Sequence, residues 1–520
     1  MKGRLHFFAF GSLILASLIL FFGLYLSLPS LSAPYGDTWD TPVQWLMHNL
    51  QVQGLLNAQS GESVWQNLHS FISSLMQQHN ESRKVTYKFL ALALDPYVPS
   101  YGVFWHWFSF FVRVLTVALI IMPVAKAAGI EKTAFSTSKW RTIAVYLVFG
   151  FGLFVYATGP ANLINGLWEV QLSFFLGLFF AMLSLNLFAK LVNRVVNNTK
   201  SLTSELQSTA NSDFFLAVSA GLASFLSIFS FAGNVVIAVV NALLIICALF
   251  ACLRRGVSFG ILLASNSFRM MLLSFALSLV AVGIFFYGWF VPLAHEGLRG
   301  GLSLEYVSKF LGGFYKHFMT WFGPSLYPLF LLPILIVALL ALNIVWNRRA
   351  CSRAYLTLAA QIIFVLGLAC ASSTGRSGGG SNVALSDRYN TCSILYIFLT
   401  INLSCWLLMT QKVISKVYRF LLLLTISIVS LIGVLENIYW YKAIASQRAT
   451  QLRAEKCFKE YYKTDPSEDF DFGMEKCSGH NVYYGSFVHL KRSLYDFCFL
   501  SADFKSKSST YKNLCNWLES

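Results

Sequence analysis

The chain has 520 residues, of which 56% are hydrophobic, 16% aromatic and only 12% charged, with a formal net charge of +16 and a mean hydropathy of +0.60. That balance excludes a soluble globular enzyme and a disordered chain, and it defines a polytopic membrane protein. The expected fold class is all-α, a bundle of transmembrane helices.

In chain order, the first apolar run covers 7–28 behind Lys2 and Arg4. It is long enough to span and has no clear small-x-small cleavage site, so it reads as a retained span rather than a cleaved signal. Further windows able to cross about 30 Å of hydrocarbon lie at 102–124, 142–158, 169–189, 214–232, 234–253, 270–292, 321–346, 355–372, 391–410 and 418–438. The total is about eleven spans. The two windows meeting at Gly233-Asn234 read as a helical hairpin turning at a membrane face.

Lys and Arg alternate between loops. Lys126, Lys139, Arg141, Lys190, Arg194, Arg254, Arg255, Arg269, Arg348, Arg349, Arg353, Lys412 and Lys416 fall on the side of the amino terminus, and the other loops are poor in them. The positive-inside rule then places the amino terminus in the cytoplasm and the tail outside. Much of the positive charge is topological, the twelve Lys and Arg of the tail supply the rest, and it calls for no nucleic-acid partner. Two regions follow: a transmembrane region, 1–439, with one long external loop at 29–101, and an external tail, 440–520. The tail holds Cys457, Cys477, Cys498 and Cys515, which allow two disulfides in an oxidising compartment. The remaining cysteines read as packing residues, and no metal-ligand spacing stands out.

Three external segments set charge beside aromatic residues. The first contains Tyr35-Gly36-Asp37-Thr38-Trp39-Asp40 and, later, His79-Asn80-Glu81-Ser82-Arg83. The second is Trp168-Glu169-Val170-Gln171, at the lip of the fourth span, and the third runs from Arg376 through Gly378, Gly379 and Gly380 to Ser386-Asp387-Arg388-Tyr389. Acids at the mouth of a span are costly near lipid unless they serve a purpose. A carboxylate there can act as general base on a hydroxyl, and a guanidinium can hold phosphate in a bidentate fork. Glycines 378–380 allow close backbone approach to an anion. Ordinary readings stand beside these: Asp37 and Asp40 as caps before Thr41-Pro42, Arg376 and Arg388 as interfacial charges, Glu81 and Arg83 as a structural ion pair. The stretches 41–58 and 85–95 are amphipathic enough to lie along the interface. Arg113, inside the second span, has to face the bundle and find a partner or a wet cavity.

One span, a long external loop opening with acids, a His-Asn-Glu-x-Arg-like segment and about ten further spans together resemble the GT-C class of polytopic membrane glycosyltransferases. Trp168-Glu169-x-Gln171, the Ser-Phe-Ala-Gly-Asn run at 230–234 and Ser386-Asp387-Arg388-Tyr389 extend the resemblance over about residues 1–440. Within the class the chain is most similar to bacterial and phage-encoded proteins that glucosylate O-antigen. The resemblance implies a multi-pass protein of the bacterial inner membrane that uses a polyprenyl-phosphate sugar as donor and a glycan as acceptor, on the periplasmic face.

It also implies a catalytic base at Asp37 or Asp40 and donor-phosphate ligands at Arg388 and Arg376. His79, Glu81, Arg83, Glu169, Gln171 and Tyr389 complete the candidate substrate contacts. His79 precedes the Asn-Glu pair where the related pattern has a histidine after it, which leaves its role open. No metal is required, although Asp37 and Asp40 are close enough in sequence to hold Mg²⁺ or Mn²⁺ weakly through water. Two alternatives remain: a polymerase or ligase of lipid-linked glycans, and a transporter or flippase.

Overall fold

The computed structural model describes residues 69, 72–73, 75–78, 82–94, 101–127, 139–159, 161–162, 171–197, 210–346, 352–386, 389–410, 424 and 427–440. Each regular element among them is helical. Among the described residues, seven helices are long and apolar enough to cross a membrane: Trp107–Lys126, Leu172–Asn197, Asn211–Ile228, Ala232–Arg254, Asn266–Phe286, Arg353–Gly379 and Asn390–Leu408. Three shorter apolar helices, Val145–Ala157, Pro324–Leu339 and Ser427–Trp440, fall where further spans are expected. The expected first span and the tail with its four cysteines lie outside the described residues.

We number the helices α1 (Val85–Leu94), α2 (Tyr101–Ala127), α3 (Lys139–Gly152), α4 (Leu172–Asn197), α5 (Ala210–Ile228), α6 (Val236–Arg254), α7 (Phe259–Ala264), α8 (Asn266–Phe286), α9 (Leu293–Glu296), α10 (Leu304–Gly312), α11 (Lys316–Phe322), α12 (Leu332–Trp346), α13 (Arg353–Arg376), α14 (Asn390–Thr410) and α15 (Ser427–Trp440).

The core of the bundle is α4, which packs against α5, α2, α13, α6 and α8. Lipid tails are as apolar as leucine, so helices in a membrane associate through close packing and polar contacts. The α4–α5 seam has both. The Ser184 and Ser224 hydroxyls meet at 2.7 Å, Ser184 Oγ donates to Ala220 O, and Ser227 Oγ donates to Gly177 O at 2.7 Å. A Cβ on Gly177 would lie 2.4 Å from Asn234 Nδ2, so only glycine permits this approach.

The Gly233-Asn234 hairpin forms as expected, with a 3-10 turn at Ala232–Val235. Fully buried Asn234 closes it by donating from Nδ2 to Ser227 O at 3.0 Å. The expected span at 321–346 is instead broken. Gly323 takes φ +92°, a 3-10 stretch covers Pro324–Leu331, and α12 starts only at Leu332. Pro324 and Pro328 have no amide to continue an α-helical ladder, which accounts for the break. Helix α3 ends in a π turn, Leu153–Ala157, where Thr158 N reaches back five residues to Leu153 O.

Arg113 does face the bundle. It is 1% exposed, with its guanidinium 5.1 Å from the Phe175 ring centroid and its Nε donating to Ser109 O.

Candidate functional site

At one end of the bundle a cavity of about 650 Å³ opens where eight segments converge. It is built from the approach to α1, the start of α4, the α5–α6 turn, the end of α8, the α9 region, α10, the end of α13 and the start of α14. Its apolar wall is aromatic. Phe174 and Phe231 meet edge to face at 4.7 Å, Phe286 meets Trp289 at 5.4 Å, and Phe310 lies 5.1 Å from Tyr389. Its charged lining consists of Lys84, Arg299 and Arg376, with His295 beside them. No carboxylate lines it among the described residues.

Arg376 ends α13, where a cation complements the helix dipole. Its Nη2 lies 3.4 Å from His295 Nδ1, so the guanidinium and the imidazole share one corner of the cavity. That corner is laced together through main chain. Gly300 N donates to Thr374 O, Gly378 N to Leu298 O, Ser377 Oγ to Gly301 O, and Ser303 N to Ser373 Oγ. A Cβ on Gly300 would sit 2.1 Å from Ser377 Oγ, and one on Gly378 would sit 2.4 Å from Arg299 O. The close backbone approach expected at Gly378–Gly380 is thus made by Gly378 to residues 298–299 of the chain itself. Glycines 378–380 are not in the lining; Gly233, Gly300 and Gly375 are.

The segment before α1 caps the same end. Thr86 N donates to Phe229 O, Thr86 Oγ1 to Leu226 O, and Ser82 Oγ accepts from Ala232 N. Arg83 spends its guanidinium on main-chain carbonyls: Nε on Phe285 O at 2.9 Å, Nη1 on Met76 O at 2.6 Å, and Nη2 on Tyr287 O. Gln78 pairs with Phe290 through both its amide atoms. Lys88, 2% exposed, donates to Leu75 O and Gln77 O, and burial with Arg83 nearby pushes its pKa down to about 7. Lys84 takes a positive φ of 50° and turns into the cavity between Ser82 and the aromatic wall. A non-glycine residue held there costs of order 1 kcal/mol or more, and such strain gathers at functional sites.

Of the candidates read from sequence, Gln171, Arg376 and Tyr389 are brought together in this lining. Arg83 stands behind it, between lining residues Ser82 and Lys84, with its guanidinium on carbonyls. Asp37, Asp40, His79, Glu81, Glu169 and Arg388 lie outside the described residues. Sequence reasoning passed over Lys84, His295, Arg299 and Trp289. The signal that could have found His295 and Arg299 is that the 293–320 loop shares its membrane side with Arg376. No group of three His, Cys, Asp or Glu placed to hold a metal ion occurs among the described residues.

Chemically, the cavity joins a cationic corner to an aromatic, lipid-like wall. It suits an amphipathic anion: a phosphate group with an apolar or sugar moiety attached. Comparison with known proteins finds no matching family model, no matching curated protein and no matching solved structure.

Proposed function

We propose that the chain is an integral membrane glycosyltransferase of the GT-C type. In this reading it moves a glucosyl residue from a polyprenyl-phosphate carrier to a cell-surface glycan such as O-antigen, on the periplasmic face of a bacterial inner membrane. The observation that supports it is the cavity itself. Arg376, Arg299 and Lys84, with His295, face aromatic side chains in one hollow at the membrane-helix ends, next to Gln171 and Tyr389.

The donor is a phosphodiester with one negative charge. The departing polyprenyl phosphate is a monoester whose charge approaches −2 near neutral pH. Fixed cations therefore bind the leaving group more strongly than the ground state, which is the condition for lowering the barrier. The acceptor oxygen forms a bond to the anomeric carbon as the bond from that carbon to the phosphate oxygen breaks. The hydroxyl proton passes to a carboxylate of the opening loop, Asp37 or Asp40. One displacement inverts the anomeric centre. Trp289 and Phe286 flank the hollow and serve the isoprenoid or the sugar ring by stacking and contact.

The test is transfer by purified protein in proteoliposomes from radiolabelled polyprenyl-phosphate glucose to a defined glycan. A parallel reaction offers a polyprenyl-diphosphate oligosaccharide. Transfer from the first alone is expected, with an inverted product, and Arg376→Gln, Asp37→Asn and Asp40→Asn identify the residues needed. Transfer only from the diphosphate donor favours the polymerase or ligase reading. Normal transfer by Arg376→Gln at equal protein level removes the phosphate role of this corner.

A further inference from the structure

The opposite end of the bundle gathers cations around a second, smaller hollow. Lys126 closes α2, Lys190 and Arg194 lie on the last turns of α4, and Arg353 opens α13, with Lys190 within electrostatic reach of the other three. Arg194 is matched by fully buried Asp213, which also accepts from Ser267 Oγ. Between α2, α4 and α13 lies a cavity of about 210 Å³, lined by Met122, Pro123, Lys126, Asn186, Ser352 and Arg353.

This hollow is built around one amide. Pro123 has no N–H, so the carbonyl of Leu119, four residues back in α2, has no helical donor. Asn186, 4% exposed on α4, donates to that carbonyl from Nδ2 at 3.2 Å, and its Oδ1 accepts from Arg353 Nη2 at 2.9 Å. The guanidinium is thereby held at the hollow beside Lys126. Helix α13 begins at the same point, and Ser352 makes no side-chain cap there, so first-turn amides and the positive end of a helix dipole add to the field.

Lipid chemistry is indicated by what adjoins the hollow. Phe111, Leu115 and Met122 on α2 are 54%, 52% and 45% exposed; with Lys126 they are spaced four, seven and four apart, on one helix face. An apolar rail running to a cationic pocket matches an acyl chain joined to a phosphate. Arg353 and Arg376 stand at the two ends of α13, about 35 Å apart at 1.5 Å per residue, so this hollow and the candidate site face opposite leaflets.

We infer that the hollow between α2, α4 and α13 binds the phosphate of an anionic phospholipid from the leaflet at the basic end, with an acyl chain along the α2 rail. Basic pockets between membrane helices recognise such headgroups, each basic residue contributing about fivefold in affinity.

The test uses the whole protein in nanodiscs of phosphatidylcholine, with and without about one-fifth phosphatidylglycerol of the same chains. Native mass spectrometry reads retained lipid, and a melting curve reads stabilisation. Retained phosphatidylglycerol and a raised melting midpoint are expected for the wild type. Lys126→Gln should lower retention about fivefold, and Lys126→Gln with Lys190→Gln further. Arg269→Gln, which removes an exposed charge at the same end but outside the hollow, should leave retention unchanged. Equal losses in Arg269→Gln and Lys126→Gln would mean diffuse attraction and overturn the site. The same stabilisation from inorganic phosphate in phosphatidylcholine nanodiscs would overturn the lipid assignment. Circular dichroism checks that each variant is folded, and Lys126→Gln leaves the Asn186–Arg353 contact intact.

Discussion

Replacing Arg83 with glutamine should open the cap over the candidate site without removing any group that lines it. Its three guanidinium bonds to Met76 O, Phe285 O and Tyr287 O tie the segment before α1 to the end of α8. A hydrogen bond from a charged donor contributes about 1.5 to 3 kcal/mol. Two of the three bonds are only part-buried, so their carbonyls regain water when the arginine is gone, which puts the loss at about 3 to 5 kcal/mol of local opening free energy. At about 1.4 kcal/mol per decade, amide protection across residues 75–90 should fall between about 100-fold and a few thousand-fold. Hydrogen–deuterium exchange read by mass spectrometry in nanodiscs measures it peptide by peptide. Arg83→Lys should recover only part of the protection, because an ammonium cannot span three divergent carbonyls. If Arg83→Gln keeps wild-type protection at 75–90 and 285–290 while transfer is abolished, the guanidinium acts on substrate, and the anchoring role assigned to it is wrong.

Three other outcomes are expected. Asn186→Leu should destabilise the bundle by about 1 to 2 kcal/mol, because Leu119 O loses its substitute donor; in a Pro123→Ala background, where residue 123 regains its amide, the loss should shrink. Thermal melts of the four proteins give the coupling, and full additivity would refute it. Gly300→Ala should cost at least tenfold in transfer by prising residues 298–301 from 374–378, whereas Gly301→Ala, whose Cβ would meet nothing within 4 Å, should not; equal activities would refute the close-approach argument. Lys88 is expected to make the cap pH-dependent. Its folded-state pKa is lowered from 10.5 to about 7, so the unfolded segment binds more protons between these values and stability rises with pH across that window. Below pH 7 both states are protonated and the burial cost is fully expressed. Exchange rates at residues 75–90 should fall from pH 7 toward 9.5, after correction for intrinsic chemistry, and Lys88→Met should remove the slope.

Hydropathy located the long helices because twenty apolar residues in hydrocarbon leave the backbone no option but helix. It also located the Gly233-Asn234 turn. It failed at 321–346, where apolar composition conceals prolines that break the ladder after Gly323, which takes a positive φ. The candidate site was legible only in part. Gln171, Arg376 and Tyr389 stand at span ends, where polarity shows against an apolar run. Arg83 read as a substrate contact or half of an ion pair with Glu81, and its anchoring role stayed hidden, since a charge on a loop does not reveal whether its partners are carbonyls or an open cavity. His295 and Lys84 join the lining through long-range docking, the α9 region against 372–378 and residues 82–86 against the α5–α6 turn, which no local pattern encodes.

The cationic lining of the larger cavity bears on turnover. On the proposed reading, a spent carrier bearing nearly two charges is attracted to Lys84, Arg299 and Arg376 about twice as strongly as the incoming donor with one. Its escape is thereby slowed relative to that of the donor, and free polyprenyl phosphate becomes a competitive product inhibitor whose grip weakens as that monoester is protonated in mild acid.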